Sequence, residues 1–301
     1  FEIEVVHNKF TKKFNVELHK YFTKKNSLLN ESINYSIMAG GKRFRPFLIY
    51  ILSKAFNIST STSIKIGISV EMLHNYSLVH DDLPAMDNDN YRRGKKTTHF
   101  KYNEYIAILA GCGLLTMSYQ VLSSSIKVES KKKIALIKRL TEISGDDGLL
   151  KGQFEDLSSK SIKYQNRIRI NKLKTGLLMS YCTEAVGIIA GRNKLELKLL
   201  RQVGLNIGEI FQISDDFNDE PKMSTKEKKY LIQYRLQIFS QTLRSLKKLG
   251  IKNNQVYDLL DYLMELKVDP HCALLRITSS ARTKAILASA MVTARSPTQG
   301  S

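Results

Sequence analysis

His80-Asp81-Asp82-Leu83-Pro84-Ala85-Met86-Asp87-Asn88-Asp89-Asn90-Tyr91-Arg92-Arg93-Gly94 sets four aspartates beside two arginines. Acids alone point to a metal, arginines alone to an anion, and the two together to a metal that carries an anion. Asp81, Asp82 and Asp87 are hard oxygen donors, with no His/Cys cluster nearby to favour zinc. Magnesium suits such a set, because it is held by a few carboxylates, several waters and the phosphates of a substrate. Arg92 and Arg93 can grip the same phosphates with forked N–H donors.

The segment leading into this stretch decides the fold class. From Ile64 to His80 the apolar positions fall at helical spacing, with Ile68, Met72, Tyr76 and Val79 on or near one face. The helix delivers Asp81 and Asp82 at its C-terminal end, and Pro84 ends or kinks it. A helix C-terminus is already partly negative, so two aspartates there are locally unfavourable, and a broken local rule marks a functional candidate. His74 lies on the same helix; taken alone it reads as a satisfied core histidine.

A second acidic patch answers the first. Phe211 to Asp219 reads Phe-Gln-Ile-Ser-Asp-Asp-Phe-Asn-Asp, and Asp215 and Asp219, four apart, share one helix face, with Asp216 three from Asp219. Like charges at that spacing repel unless a cation lies between them. Each patch follows an apolar helical run, so the acidic ends of two helices must converge on one metal site.

The rest of the chain reads as helices. Phe10, Phe14, Leu18, Tyr21 and Phe22 mark an amphipathic outer helix within residues 1–30, and Pro46 to Phe56 a buried one. Further helices are expected over Tyr102–Ile126, Lys131–Ser144, Leu149–Leu157 (with Gln153 and Asp156), Asn171–Ala190, Lys194–Phe217, 226–248 and 254–268. Gly145-Asp146-Asp147-Gly148 reads as a turn. No strand alternation stands out, so the architecture is all-α. Before the helix at Pro46, Gly40-Gly41-Lys42-Arg43-Phe44-Arg45-Pro46 forms a tight basic turn, and Lys42 and Arg45 would face one anion if the turn is helical.

Composition narrows the rest. The 301 residues, 43% hydrophobic with few prolines, allow a sizeable core in one domain over 1–268. From Asp269 the sequence carries four basic residues and no further acid, and 269–301 reads as an appended or disordered basic tail. The net charge of +19 is spread along the chain, mostly as lysine, without a nucleic-acid-binding motif. The scattered Cys112, Cys182 and Cys272 fit a reducing compartment, so a cytoplasmic location is expected, with an organelle left open because a trimmed presequence would leave no trace here. The longest apolar run, Ile106 to Met117, is short of the ~20 residues that span a bilayer.

Together the two aspartate motifs, Asp81-Asp82-Leu83-Pro84-Ala85-Met86-Asp87 and Asp215-Asp216-Phe217-Asn218-Asp219, resemble those of the trans-isoprenyl diphosphate synthases. Gly40 to Pro46, Arg92-Arg93-Gly94, Lys174-Thr175-Gly176 and Phe211-Gln212 follow the same family in the same order, most like its bacterial-type farnesyl diphosphate synthases. The resemblance covers roughly residues 30–220. It implies an isoprenoid synthase fold, all-α with a deep central cavity, and a homodimer. It implies about three magnesium ions on an allylic diphosphate, held by Asp81, Asp82, Asp87, Asp215, Asp216 and Asp219. Arg92, Lys174, Thr175 and Gln212 would hold that diphosphate, and Lys42, Arg45, His74 and Arg93 isopentenyl diphosphate. The implied activity is chain-elongating prenyl transfer, with a C15 product because Tyr76, five residues before Asp81, would floor the cavity. A geranylgeranyl diphosphate synthase and a silent partner subunit that binds prenyl diphosphates are the alternatives. The second is raised by a departure: the Gly-Lys-x-x-Gly-x-Asp loop that the family carries after its second motif is absent, and Glu220-Pro221-Lys222-Met223-Ser224 stands there instead.

Overall fold

A computed structural model describes residues 2–23, 26–158, 164–219 and 224–265, with the side chains of 164–167, 215–219, 225 and 265 also undescribed. The expected tail 269–301 lies outside these residues. The helices are α1 (Glu2–His19), α2 (Leu28–Met38), α3 (Phe44–Ala55), α4 (Thr60–Asp81), α5 (Thr98–Lys101), α6 (Glu104–Gln120), α7 (Ser130–Ser144), α8 (Leu149–Ser158), α9 (Tyr164–Asn171), α10 (Leu177–Ile189), α11 (Lys194–Asp219), α12 (Thr225–Lys248) and α13 (Asn254–Glu265). Two π turns interrupt them, Val121–Ser125 after α6 and Lys172–Gly176 between α9 and α10. The all-α expectation holds apart from one two-residue hairpin, β1 (Tyr91–Arg92) against β2 (Lys95–Lys96), which falls inside the acidic-basic stretch.

The apolar stripes find each other. On α1, Phe10, Phe14 and Leu18 are buried, and Phe10 stacks on Phe14 and on Tyr50 of α3. Helix α4 is the central column: Ile64, Ile66, Ile68, Val70, Met72 and Leu73 are buried on several faces, as expected of a helix enclosed by neighbours. It packs against α3, α6 and the Val121–Ser125 turn, while α10 packs against α11 and α3. One hydrophobic core runs from Ile3 to Leu263.

Helix α6 and its π turn form a continuous helical stretch of 22 residues, Glu104–Ser125, which by length and composition could cross a membrane. The expected helix over Tyr102–Ile126 matches this stretch; only its uninterrupted apolar run, Ile106 to Met117, is shorter than a span. In the fold its apolar side goes to protein: Ile106, Ala107, Ala110 and Leu114 are buried, and Ser118 accepts, through its carbonyl, the Ser69 hydroxyl of α4.

The chain also spends its caps where helices begin. Ser27, Ser59 and Asn103 each accept the backbone N–H three residues on, and Ser224 with Glu227 closes a capping box at α12.

Candidate functional site

The end of α4 builds the acidic half of the site. Its last carbonyls are taken up by the loop that follows: Asp87 N–H donates to the Asp81 carbonyl (2.9 Å), Asp89 N–H to that of Asp82 (3.2 Å), and Met86 and Asn88 N–H to that of Leu83 (2.9 and 3.1 Å). The loop therefore curls back over the helix end, helped by Asn88 at φ 55° and by the buried Leu83. This brings Asp87 next to Asp81, which the linear spacing alone does not do.

Asp82, expected beside Asp81 as a metal ligand, is paired with an arginine here. Its buried carboxylate is clamped by Arg92, whose Nε donates to Oδ1 at 2.8 Å and to Oδ2 at 3.1 Å and whose Nη2 donates to Oδ1 at 2.6 Å. The hairpin turn at Arg93 and Gly94, both at positive φ, swings Arg92 back onto it. Asp81 stays outside this clamp. Burial, joined by the charges of Asp87 and Asp82 and opposed by Lys174 and Arg92, pushes its carboxyl up to about 6. A carboxylate so placed has much to gain from a divalent cation.

Lys174 and Thr175 sit in the π turn, where the chain gains one residue per turn over an α-helix. Lys174 Nζ donates to Asp156 of α8 at 2.6 Å, and Thr175 Oγ1 to Gln212 Oε1 of α11 at 3.4 Å. On α8, one turn before Asp156, Gln153 buries both amide atoms with no hydrogen-bond partner among the described residues. Asp215, Asp216 and Asp219 lie in the last turns of α11, so the expected helical spacing holds, while their side chains lie outside the described residues.

The basic half is built on Arg43, which the sequence reading passed over. It sits at φ 47° just before α3, is almost wholly buried, and donates to Glu71 Oε1 (2.6 Å), the Ile37 carbonyl (2.6 Å) and Asn15 Oδ1 (3.0 Å). The signal available was Glu71, a lone acid inside the apolar run of α4. Because α3 begins only at Phe44, Lys42 and Arg45 do not share the helical turn expected of them. Lys42 is exposed and lies 5.3 Å over the Phe211 ring, which itself stacks on Phe44. Arg45 points inward, with its Nε buried and unpartnered among the described residues. Arg93 donates to the Gly40 carbonyl, and a Cβ at Gly41 would stand 2.6 Å from its Nη1, so Gly41 must be glycine for Arg93 to dock. His74, one turn before Leu78, is pushed well below its ordinary value by burial and then by Arg45, Arg93, Arg43 and Arg92. Burial and these four arginine charges together disfavour its protonated form.

The donor set fits magnesium. Asp81 and Asp87 are adjacent hard carboxylates, and among the described residues no three His, Cys, Asp or Glu side chains close a cage by themselves. An ion there would complete its shell with water and substrate oxygens, and an all-oxygen set of this kind suits magnesium better than zinc, which favours His and Cys donors.

A sequence profile of the polyprenyl synthetase family matches residues 26–233. The farnesyl diphosphate synthase of Micrococcus luteus is 41% identical over 204 residues, covering 67% of this chain and 69% of that one. That of Bacillus subtilis (strain 168) is 38% identical over 195 residues, covering 64% and 66%. That of Buchnera aphidicola subsp. Schizaphis graminum is 33% identical over 273 residues, covering 87% and 90%. Among solved structures, an FPP/GFPP synthase from Zymomonas mobilis superposes with a TM-score of 0.79 at 28% identity, over 87% of this chain and 98% of that one. A geranyltransferase from Legionella pneumophila gives 0.78 at 28% identity, over 87% and 96%.

Proposed function

This chain belongs to the polyprenyl synthetase family, and on that premise we propose that it condenses isopentenyl diphosphate with dimethylallyl or geranyl diphosphate to make farnesyl diphosphate and release diphosphate. The observation that carries the reading is the meeting of Asp87, Arg92 and Lys174, from two stretches far apart in sequence, around the Asp81 carboxylate.

Asp81 and Asp87, with Asp215, Asp216 and Asp219 from α11, would hold about three magnesium ions, which when bound neutralise the leaving diphosphate as Lewis acids. Asp82 keeps Arg92 aimed at the same oxygens rather than binding metal itself. Lys174 exchanges Asp156 for the diphosphate, and Thr175 and Gln212 fix its orientation. Lys42, Arg45 and Arg93 hold the diphosphate of the second substrate beside the neutral His74. The allylic carbon–oxygen bond then breaks, the double bond of isopentenyl diphosphate attacks the cation, and a proton is lost. No nucleophile from the protein is needed. The apolar walls keep water from the cation, and Tyr76, half-buried between α4 and α6, floors the space for the growing tail. Tyr105, Ile108 and Leu109, exposed on α6, support a homodimer.

Turnover tests this directly. With magnesium, labelled isopentenyl diphosphate and geranyl diphosphate, the extracted product is a C15 prenyl diphosphate, and a chelator abolishes it. Diphosphate binding without turnover would instead favour the silent subunit, and the departure after Asp219 would be the first place to look.

A further inference from the structure

Next to Tyr76 the structure holds a small latch that the chemistry above does not use. His80 lies one turn beyond Tyr76 on α4, and its ring meets the Tyr76 ring edge-on at 5.0 Å and 74°. Its Nε2 is 3.0 Å from the backbone carbonyl of Ile108, in the middle of α6. Three residues along α6 stands Gly111, and a Cβ there would overlap Nε2 and Cδ2 of the same imidazole. Glycine inside a helix is otherwise unfavourable by about 1 kcal/mol against alanine, so a mid-helix glycine calls for a local reason, and here the reason is the ring.

We propose that His80, seated in the Gly111 notch and bonded to Ile108, is a positioning residue that fixes the Tyr76 ring and so sets the length of the product. This rests on the synthase reading above. The notch is a lock between two helices: α4 carries Tyr76 and His80, and α6 supplies both the acceptor and the missing side chain. Tyr76 is half-buried and packs against the core from one side, and the His80 ring meets it edge-on along the same helix, so losing that contact removes one of the restraints on the ring. Losing one edge-on ring contact changes a conformational ratio by about 2- to 10-fold.

The test is product length from geranyl and isopentenyl diphosphates with magnesium. His80→Ala should raise the C20 to C15 ratio by about 2- to 10-fold, and Gly111→Ala, which expels the ring while leaving it in the chain, should do the same. Tyr76→Ala should lengthen the product at least as much, and adding His80→Ala to it should lengthen the product no further. Should Gly111→Ala fail to fold, the Tyr76 and His80 variants with their double mutant decide the matter alone. A merely structural His80 would lower turnover and leave the ratio unchanged, which overturns the inference, as does an equal lengthening by His80→Ala with and without Tyr76. Wild-type protein that forms no prenyl product overturns the synthase reading first; a C15 product that His80→Ala leaves at C15 overturns this inference alone.

Discussion

The two halves of the site handle charge in opposite ways. On the acidic side the cations already have partners: Arg92 clamps Asp82, and Lys174 bonds Asp156, while Asp81 stays outside both pairs. On the proposed function, those cations would trade partners when a substrate arrives. On the basic side the buried pair of Arg43 with Glu71 anchors the turn, and Arg45 and Arg93 add positive charge that disfavours protonation of His74. The acidic side is set for exchange, and the basic side is left unneutralised for an incoming anion. On the proposed function, that difference would let the site tell apart two substrates that both carry diphosphate.

The largest effect should come from the anchor. Glu71→Gln leaves Arg43 charged and buried and costs about 3–5 kcal/mol of stability in urea unfolding. Asp82→Asn should cost about 1 kcal/mol or less, because Arg92 keeps 34% of its side chain in solvent. Equal losses would break the contrast between the halves. Asp81→Asn comes next. It should lower magnesium-dependent turnover by about 10²–10³-fold, in line with removing one group that stabilises transition-state charge, while raising the melting temperature of the metal-free protein at pH 7. The second half follows from sign: ionising a carboxyl whose pKa stands at about 6, above its unfolded value, costs stability as pH rises through that window.

Arg45→Gln should weaken isopentenyl diphosphate and leave the allylic substrate nearly untouched. Losing a charged hydrogen bond worth about 1.5–3 kcal/mol predicts a KM about 10- to 100-fold higher for one substrate only. The smallest effect is on pH. His74 is held neutral in the fold, so the unfolded chain takes up a proton below pH 6.5 that the folded chain refuses. Stability from this group is complete above pH 6.5 and falls below it, by at most about 1.4 kcal/mol per pH unit. His74→Asn should flatten that acid limb in a series of melts.

Much of this was legible in the sequence, and the rest was hidden for identifiable reasons. Helix α4 showed itself through Ile68, Met72, Tyr76 and Val79, and its acidic end broke a dipole rule that any reader can apply. The turn before α3 was misjudged because a spacing of three was read as helical, whereas Gly40, Gly41 and Arg43 take up left-handed backbone and turn Lys42 away from Arg45. The Arg43–Glu71 and Arg92–Asp82 pairs were missed because partnership across 28 and 10 residues has no periodicity to reveal it. The hairpin at Tyr91 was missed because two residues are too few to alternate.

The π turn at Lys172–Gly176 has a consequence in the language of genes. A π turn carries one residue more than the α turn that it replaces, so removing one residue there would let α9 and α10 run on as a regular helix without disturbing the register of either. A single lost codon in this segment should therefore be silent to the fold and ruinous to the site, separating Lys174 from Asp156 and Thr175 from Gln212. Natural variation at this point would act as an on–off mark for catalysis that folding does not notice.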